Sequence, residues 1–263
     1  MMTCSRSHVS PRARLCGLFC GILALLLAGC SPAVSDASAP ALAEKQVALA
    51  ACAPREGEGV PLLLVNADHP LAAEPEGLVN LYAQKGRGFS LANSSICLTE
   101  ETFLAAKAMF TAAAADGMEG FILSSGYRDR EAQAAEYEKD PETAAQPGTS
   151  EHETGLAFDV TAYGPKDFSR TPQYEWLYAH CWDYGFILRY PAGKEAVTGI
   201  PAESWHYRYV GQPHARLMGE LGLCLEEYAD YVTRHGPLTA AWQGRVWGIQ
   251  TGTDGVICAF PEG

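Results

Sequence analysis

The chain is short of three things, and each shortage narrows what it can be. Positive charge is scarce: 19 Lys and Arg stand against 31 Asp and Glu, a formal net charge of −12. Such a surface repels phosphate backbones, so a nucleic-acid partner is not expected. No apolar run reaches the 18 or more residues of a confident membrane span; the run at residues 15–28 falls short of it. The nine cysteines contain no C-x-x-C pair, which argues against a cysteine-built zinc site. No internal repeat is visible either.

What is present starts with an export signal. Arg6, Arg12 and Arg14 form a basic leader ahead of the apolar run, which ends in Leu27-Ala28-Gly29-Cys30. That tetrapeptide resembles the lipobox of bacterial lipoproteins, where the chain is cut before the cysteine and lipid is attached to it. The expectation is a lipoprotein signal peptide over residues 1–29, a lipidated Cys30, and an extracytoplasmic protein held to the bacterial membrane by that lipid. Loss of the leader removes three arginines and no acid, taking the formal charge from −12 to −15. Cys4, Cys16 and Cys20 leave with it, so Cys52, Cys97, Cys181, Cys224 and Cys258 remain for up to two disulfides of open pairing.

Residues 30–59 are rich in Ala, Ser, Pro and Glu without an apolar period and are expected to form a flexible linker. Residues 60–236 suffice for one domain with a single core, and residues 237–263 carry the signal of a C-terminal β-hairpin appendage, two apolar strands around Thr251-Gly252-Thr253-Asp254-Gly255. Within the domain, short strands are expected at 62–65, 121–123, 156–161, 186–190 and 205–210. Thr99 should cap a helix with Glu100 and Glu101 in its first turn and an apolar face through Phe103, Leu104, Met109 and Phe110. Further helices are expected from about Asp129, over 174–184, and as one long helix over 213–235. The fold class is therefore α+β, a small antiparallel sheet flanked by helices and carrying the functional site. A monomer is expected.

The chemistry concentrates in Ser150-Glu151-His152-Glu153-Thr154-Gly155-Leu156-Ala157-Phe158-Asp159. A histidine in a loop and an aspartate in the next strand can converge, and an imidazole nitrogen with a carboxylate oxygen makes a natural zinc pair. An aspartate inside an apolar strand is costly unless a cation meets it. Glu203-Ser204-Trp205-His206 offers a third ligand, His206. One Zn2+ on His152, Asp159 and His206 would keep the open fourth position that catalysis requires, with Glu203 as the base for the attacking water. His69, His180, His214 and His235 have no partnered motif and are expected to be structural or exposed. Trp176, Trp182 and Tyr184 are expected in the core or a pocket wall, Cys181 buried, and Glu151 and Glu153 turned to solvent.

Four motifs in order, Ser124-Ser125-Gly126-Tyr127-Arg128, the stretch from His152 to Asp159, Tyr184-Gly185-Phe186-Ile187-Leu188-Arg189-Tyr190-Pro191 and Glu203-Ser204-Trp205-His206-Tyr207-Arg208-Tyr209-Val210-Gly211, resemble the VanY-type D-alanyl-D-alanine carboxypeptidases. These belong to one zinc-site superfamily with lysostaphin-type peptidases and hedgehog domains. The resemblance implies a hedgehog-like fold and hydrolysis of the C-terminal D-alanine from peptidoglycan stem peptides. It makes His152, Asp159 and His206 the zinc ligands and Glu203 the catalytic base. Arg128 would bind the substrate carboxylate or polarise the scissile carbonyl, with Gln133 and Ser150 adding hydrogen bonds. Many relatives have proline where this chain has Ser204. Three rival readings stay open: an L,D-carboxypeptidase on tetrapeptide stems, which similar motifs also serve, a wall endopeptidase, and a non-catalytic wall-binding lipoprotein, against which Glu203 speaks.

Overall fold

The computed structural model describes residues 60–84, 88–242, 244–252 and 255–261. The expected signal peptide, Cys30 and the linker lie outside the described residues. In chain order the strands are β1 (Val60–Leu62), β2 (Leu78–Asn80), β3 (Phe89–Leu91), β4 (Cys97–Thr99), β5 (Phe121–Ser125), β6 (Ala157–Ala162), β7 (Phe186–Tyr190), β8 (Glu203–Tyr209), β9 (Leu238–Trp242), β10 (Arg245–Thr251) and β11 (Ile257–Pro261). The helices are α1 (Glu100–Ala115), α2 (Arg130–Lys139), α3 (Pro172–His180), α4 (Glu195–Thr198), α5 (Gln212–Leu221) and α6 (Leu225–His235). No described helix is long and apolar enough to cross a membrane.

The central sheet runs β3-β5-β6-β8-β7. It is mixed rather than purely antiparallel, because β3 pairs parallel to β5. Between those two strands the chain travels through β4 and α1, a crossover long enough to bring it back in the same direction. Thr99 caps α1 as expected, its hydroxyl accepting from the Thr102 amide at 3.4 Å. The buried stripe of α1 is Phe103, Ala106, Met109, Phe110 and Ala113, with helical spacing. Leu104 falls off it and is 55% exposed, since one residue's advance turns the side chain about 100° away from Phe103. Phe110 anchors the first core, its ring centroid 5.1, 5.0 and 5.9 Å from those of Phe89, Phe121 and Phe158.

A second core lies between α5, α6 and a sheet of order β1-β11-β10-β9. The hairpin expected near the C-terminus is the β10–β11 pair, and its outer edges are taken by β9 and by β1 from the start of the domain. The single helix expected over 213–235 is two helices. Gly222, at φ 69°, ends α5 in a left-handed conformation, and Cys224 with Glu227 forms a capping box that starts α6. Residues 174–184 also split, into α3 and a 3-10 turn, Cys181–Tyr184, ended by Gly185 as expected. Among the described residues Cys97, Cys181 and Cys224 are free thiols, and Cys52 lies outside the described residues. Cys181 is fully buried, and burial pushes its thiol well up.

Candidate metal centre

Three elements, a 3-10 turn and two strands, bring the predicted ligands together. Ser150 caps the 3-10 turn Glu151–Thr154, its hydroxyl accepting from the His152 amide at 3.3 Å. Gly155, at φ 66°, reverses the chain into β6 where a Cβ would stand 2.8 Å from the Leu78 side chain. On β6, Asp159 sits directly opposite His206 of β8, so both side chains share one face of the sheet. Asp159 Oδ2 is 3.4 Å from His152 Nε2, and Asp159 Oδ1 is 3.1 Å from His206 Nδ1. The ligand atoms of the three residues lie within 4.8 Å of one another.

Glu203 reaches the same cluster by a departure from regular strand geometry. Residues three apart on a flat strand face opposite ways. Here the register between β7 and β8 shifts between Leu188 and Tyr190, and Glu203 Oε2 comes 3.7 Å from His206 Nδ1. Burial raises Glu203 to about 7, with Asp159 and Glu151 adding to the rise and His206 and Arg128 opposing it. Burial disfavours charge on His206, but the nearby carboxylates of Asp159 and Glu151 outweigh it and raise His206 to about 9. Asp159 is also opposed by burial, yet the two imidazoles hold it far below the usual carboxylate range.

Whether a metal suits this cluster can be asked of Asp159. Its buried Oδ1 makes no hydrogen bond although a histidine nitrogen is 3.1 Å away, so the pair is close without a proton correctly directed between them. A cation between the two atoms would satisfy both. Two imidazoles and one carboxylate are the donor set of catalytic zinc sites, and nitrogen-rich sites of this type also take other divalent ions.

Arg128, in the loop between β5 and α2, donates to Gln133 Oε1 at 2.8 Å and to Ser125 Oγ at 3.4 Å, while its amide donates to the His152 carbonyl at 3.1 Å. Gln133 is buried and fixed through its amide nitrogen to the Ala145 carbonyl at 2.7 Å. Arg128, Gln133, Ser150 and Glu203 all line one cavity of about 160 Å³ with the three ligands. Trp205, 43% exposed, and Tyr190 form part of its wall. A larger depression of about 510 Å³ beside β3 has Glu119 as the one ionisable residue among the described residues that line it, so size alone does not mark the site.

Glu151 and Glu153 are buried, at 1% and 3% exposure, rather than turned to solvent. In a 3-10 turn successive side chains radiate about 120° apart, and this turn is surrounded on all sides. Glu153 Oε2 accepts from Arg130 Nε at 2.9 Å. Glu151 Oε1 accepts from Arg189 Nε at 2.6 Å and Arg208 Nη1 at 2.7 Å. A signal for this lay in the sequence: two arginines inside apolar strands, Arg189 and Arg208, must meet an anion. The single histidines are structural or exposed, His69 and His235 being exposed. His69 Nδ1 contacts Asn66 Oδ1, His180 packs on Trp176, His235 on Tyr231, and His214 is buried between the Tyr228 hydroxyl and the Val60 carbonyl.

Comparison with known proteins adds to this geometry. A family profile described as VanY, D-alanyl-D-alanine carboxypeptidase, matches residues 95–212. A D-alanyl-D-alanine carboxypeptidase of Enterococcus faecium is 38% identical over 193 residues, 72% of this chain and 63% of that protein. This chain thus spans less than two thirds of that relative's length. The bifunctional D-Ala-D-Ala dipeptidase and D-Ala-D-Ala carboxypeptidase VanXYC of Enterococcus gallinarum is 33% identical over 192 residues, 66% of this chain and 95% of that protein. Among solved structures, the LdcB LD-carboxypeptidase superposes with a TM-score of 0.56 at 32% identity, covering 64% of this chain and 84% of that one.

Proposed function

Because the chain belongs to the VanY family of D-alanyl-D-alanine carboxypeptidases, we propose that it is a zinc-dependent carboxypeptidase that removes the terminal D-alanine from peptidoglycan stem peptides. The observation that carries this reading is the shared cavity: a His-Asp-His cluster, a carboxylate raised to about 7 and a guanidinium line one space. A zinc ion on His152, Asp159 and His206 would polarise the scissile carbonyl and lower the pKa of water to about 7.

The chain's own groups supply the rest. Glu203, poised near neutrality by burial, takes a proton from the attacking water and returns it to the departing amine of D-alanine. Arg128 holds the terminal carboxylate with its planar fork, and Gln133 and Ser125 hold the fork in turn. Ser150 keeps the ligand turn in place and faces the same cavity. Tyr190 and Trp205 narrow the space around the terminal residue. The basic leader and Leu27-Ala28-Gly29-Cys30 support export and lipid attachment at Cys30, which would hold the protein, as a monomer, beside its substrate. Labelled palmitate incorporated by the wild type and not by Cys30→Ser would support that part.

The decisive experiment is mass spectrometry of products after incubating the zinc-loaded protein with stem peptides. Loss of one alanine from the pentapeptide ending in D-Ala-D-Ala is the expected result. The likeness to LdcB favours a second reading, L,D-carboxypeptidase, which predicts loss of D-alanine from the tetrapeptide instead. Cleavage of neither peptide by zinc-loaded protein would reject both.

A further inference from the structure

We propose that Glu151 is a positioning residue for this centre, holding His206 in the tautomer that turns Nδ1 toward Asp159 and the metal. The inference rests on reading His152, Asp159 and His206 as metal ligands. A neutral imidazole carries one proton, so the ligating nitrogen must be the one left bare. His152 meets that condition through the backbone. Its Nδ1 lies 2.8 Å from the Gly126 carbonyl, which can only accept, so the proton sits there and Nε2 is left to face Asp159.

His206 is turned the other way round. Its Nδ1 faces Asp159, and its Nε2 faces Glu151 Oε2 at 3.4 Å. The two oxygens of Glu151 have divided tasks. Oε1 takes both guanidinium donors, from Arg189 and Arg208, and Oε2 is left for the histidine. A buried carboxylate oxygen needs a donor, and His206 Nε2–H is the one directed at it. The proton of His206 is thereby drawn to Nε2 and the lone pair to Nδ1.

This brace is held from several elements. Arg189 of β7 also donates from Nη1 to Glu226 Oε2 of α6 at 2.9 Å, and Arg208 of β8 donates to the carbonyl of Leu63 at 2.6 Å. Two guanidinium groups and two carboxylates balance, so Glu151 remains an anion although fully enclosed. Glu151 is also the chain neighbour of His152. One 3-10 turn thus supplies a ligand with one residue and supports the other imidazole with the next. A carboxylate behind a ligating histidine fixes its ring and raises its basicity.

The test uses the whole chain, with zinc affinity measured by chelator competition and ring protonation by long-range 1H–15N spectra of 15N-histidine-labelled protein. Zinc should shift both rings in the wild type, with the His206 proton on Nε2. Glu151→Ala should lose about 10- to 100-fold in zinc affinity, and Glu151→Gln, whose amide oxygen can still accept, should lose less. Glu226→Gln removes a carboxylate from the same cluster without touching His206, so it should lower stability and leave affinity near wild type. A His206 proton on Nδ1 in the zinc-loaded wild type would overturn the proposal whether or not the variants fold, and so would unchanged affinity in Glu151→Ala. If zinc moves neither ring in the wild type, the metal reading itself falls and takes the proposal with it.

Discussion

At the scale of single residues, the proposed roles of Glu203 and Arg128 separate chemistry from recognition. Glu203→Gln keeps the size of the side chain and removes its ability to take a proton. It is expected to retain zinc while kcat falls by about 10²- to 10⁴-fold, checked by steady-state kinetics beside metal analysis. Arg128→Ala removes a charge-assisted contact worth about 1.5–3 kcal/mol. That corresponds to roughly 10- to 150-fold in kcat/KM on a substrate with a free carboxylate, and the loss should disappear on the C-terminal amide. An equal loss on both substrates would assign Arg128 to the scissile carbonyl instead. The role proposed for Glu203 was legible in the sequence from a carboxylate beside a candidate ligand, and that proposed for Arg128 from the resemblance its motif carries. Glu151 was not, because its environment comes from Arg189 and Arg208, 38 and 57 residues away along the chain.

At the scale of elements, local rules and tertiary packing divide the outcome. The start of α1 was readable because Thr99 and the acidic first turn act within four residues. The break between α5 and α6 was also local, at Gly222 and Cys224, but an apolar period continuing through 213–235 masked it. Packing of α5 against α6 and β1 has a consequence for acid stability. His214 is buried, and burial lowers it to about 4, against a hydrogen bond to the Val60 carbonyl that works the other way. The His214 ring donates to the Val60 carbonyl, and its folded value lies below the unfolded one of about 6.5. The unfolded state therefore binds the extra proton first, and the stability His214 contributes is complete above pH 6.5 and is lost as pH falls through 4. The loss is on the order of 3 kcal/mol. Denaturant unfolding at pH 7 and pH 4 should show a larger drop for the wild type than for His214→Gln.

At the scale of the whole molecule, the ends of the described chain meet: β1 pairs with β11, and the second core draws on Leu62, Val210, α6, Leu238 and Ile249. A chain stopped after Gly236 would leave β1 without its partner and expose the apolar faces of α5 and α6. It is expected to lose cooperative thermal unfolding by circular dichroism; a sharp native-like transition would show that β9, β10 and β11 are dispensable. The sequence by itself determined the residue types of the candidate metal centre, the order of the motifs, the capped helix and the C-terminal hairpin, because those depend on residue chemistry and on neighbours a few positions apart. Only the tertiary structure decided that Asp159 stands opposite His206, that a register shift turns Glu203 to their face, that the hairpin is completed by β1, and that Glu151 is enclosed by two arginines. Each of these is a pairing between distant segments, set by strand register and by the need to neutralise buried charge, and neither is written in a local stretch of residues.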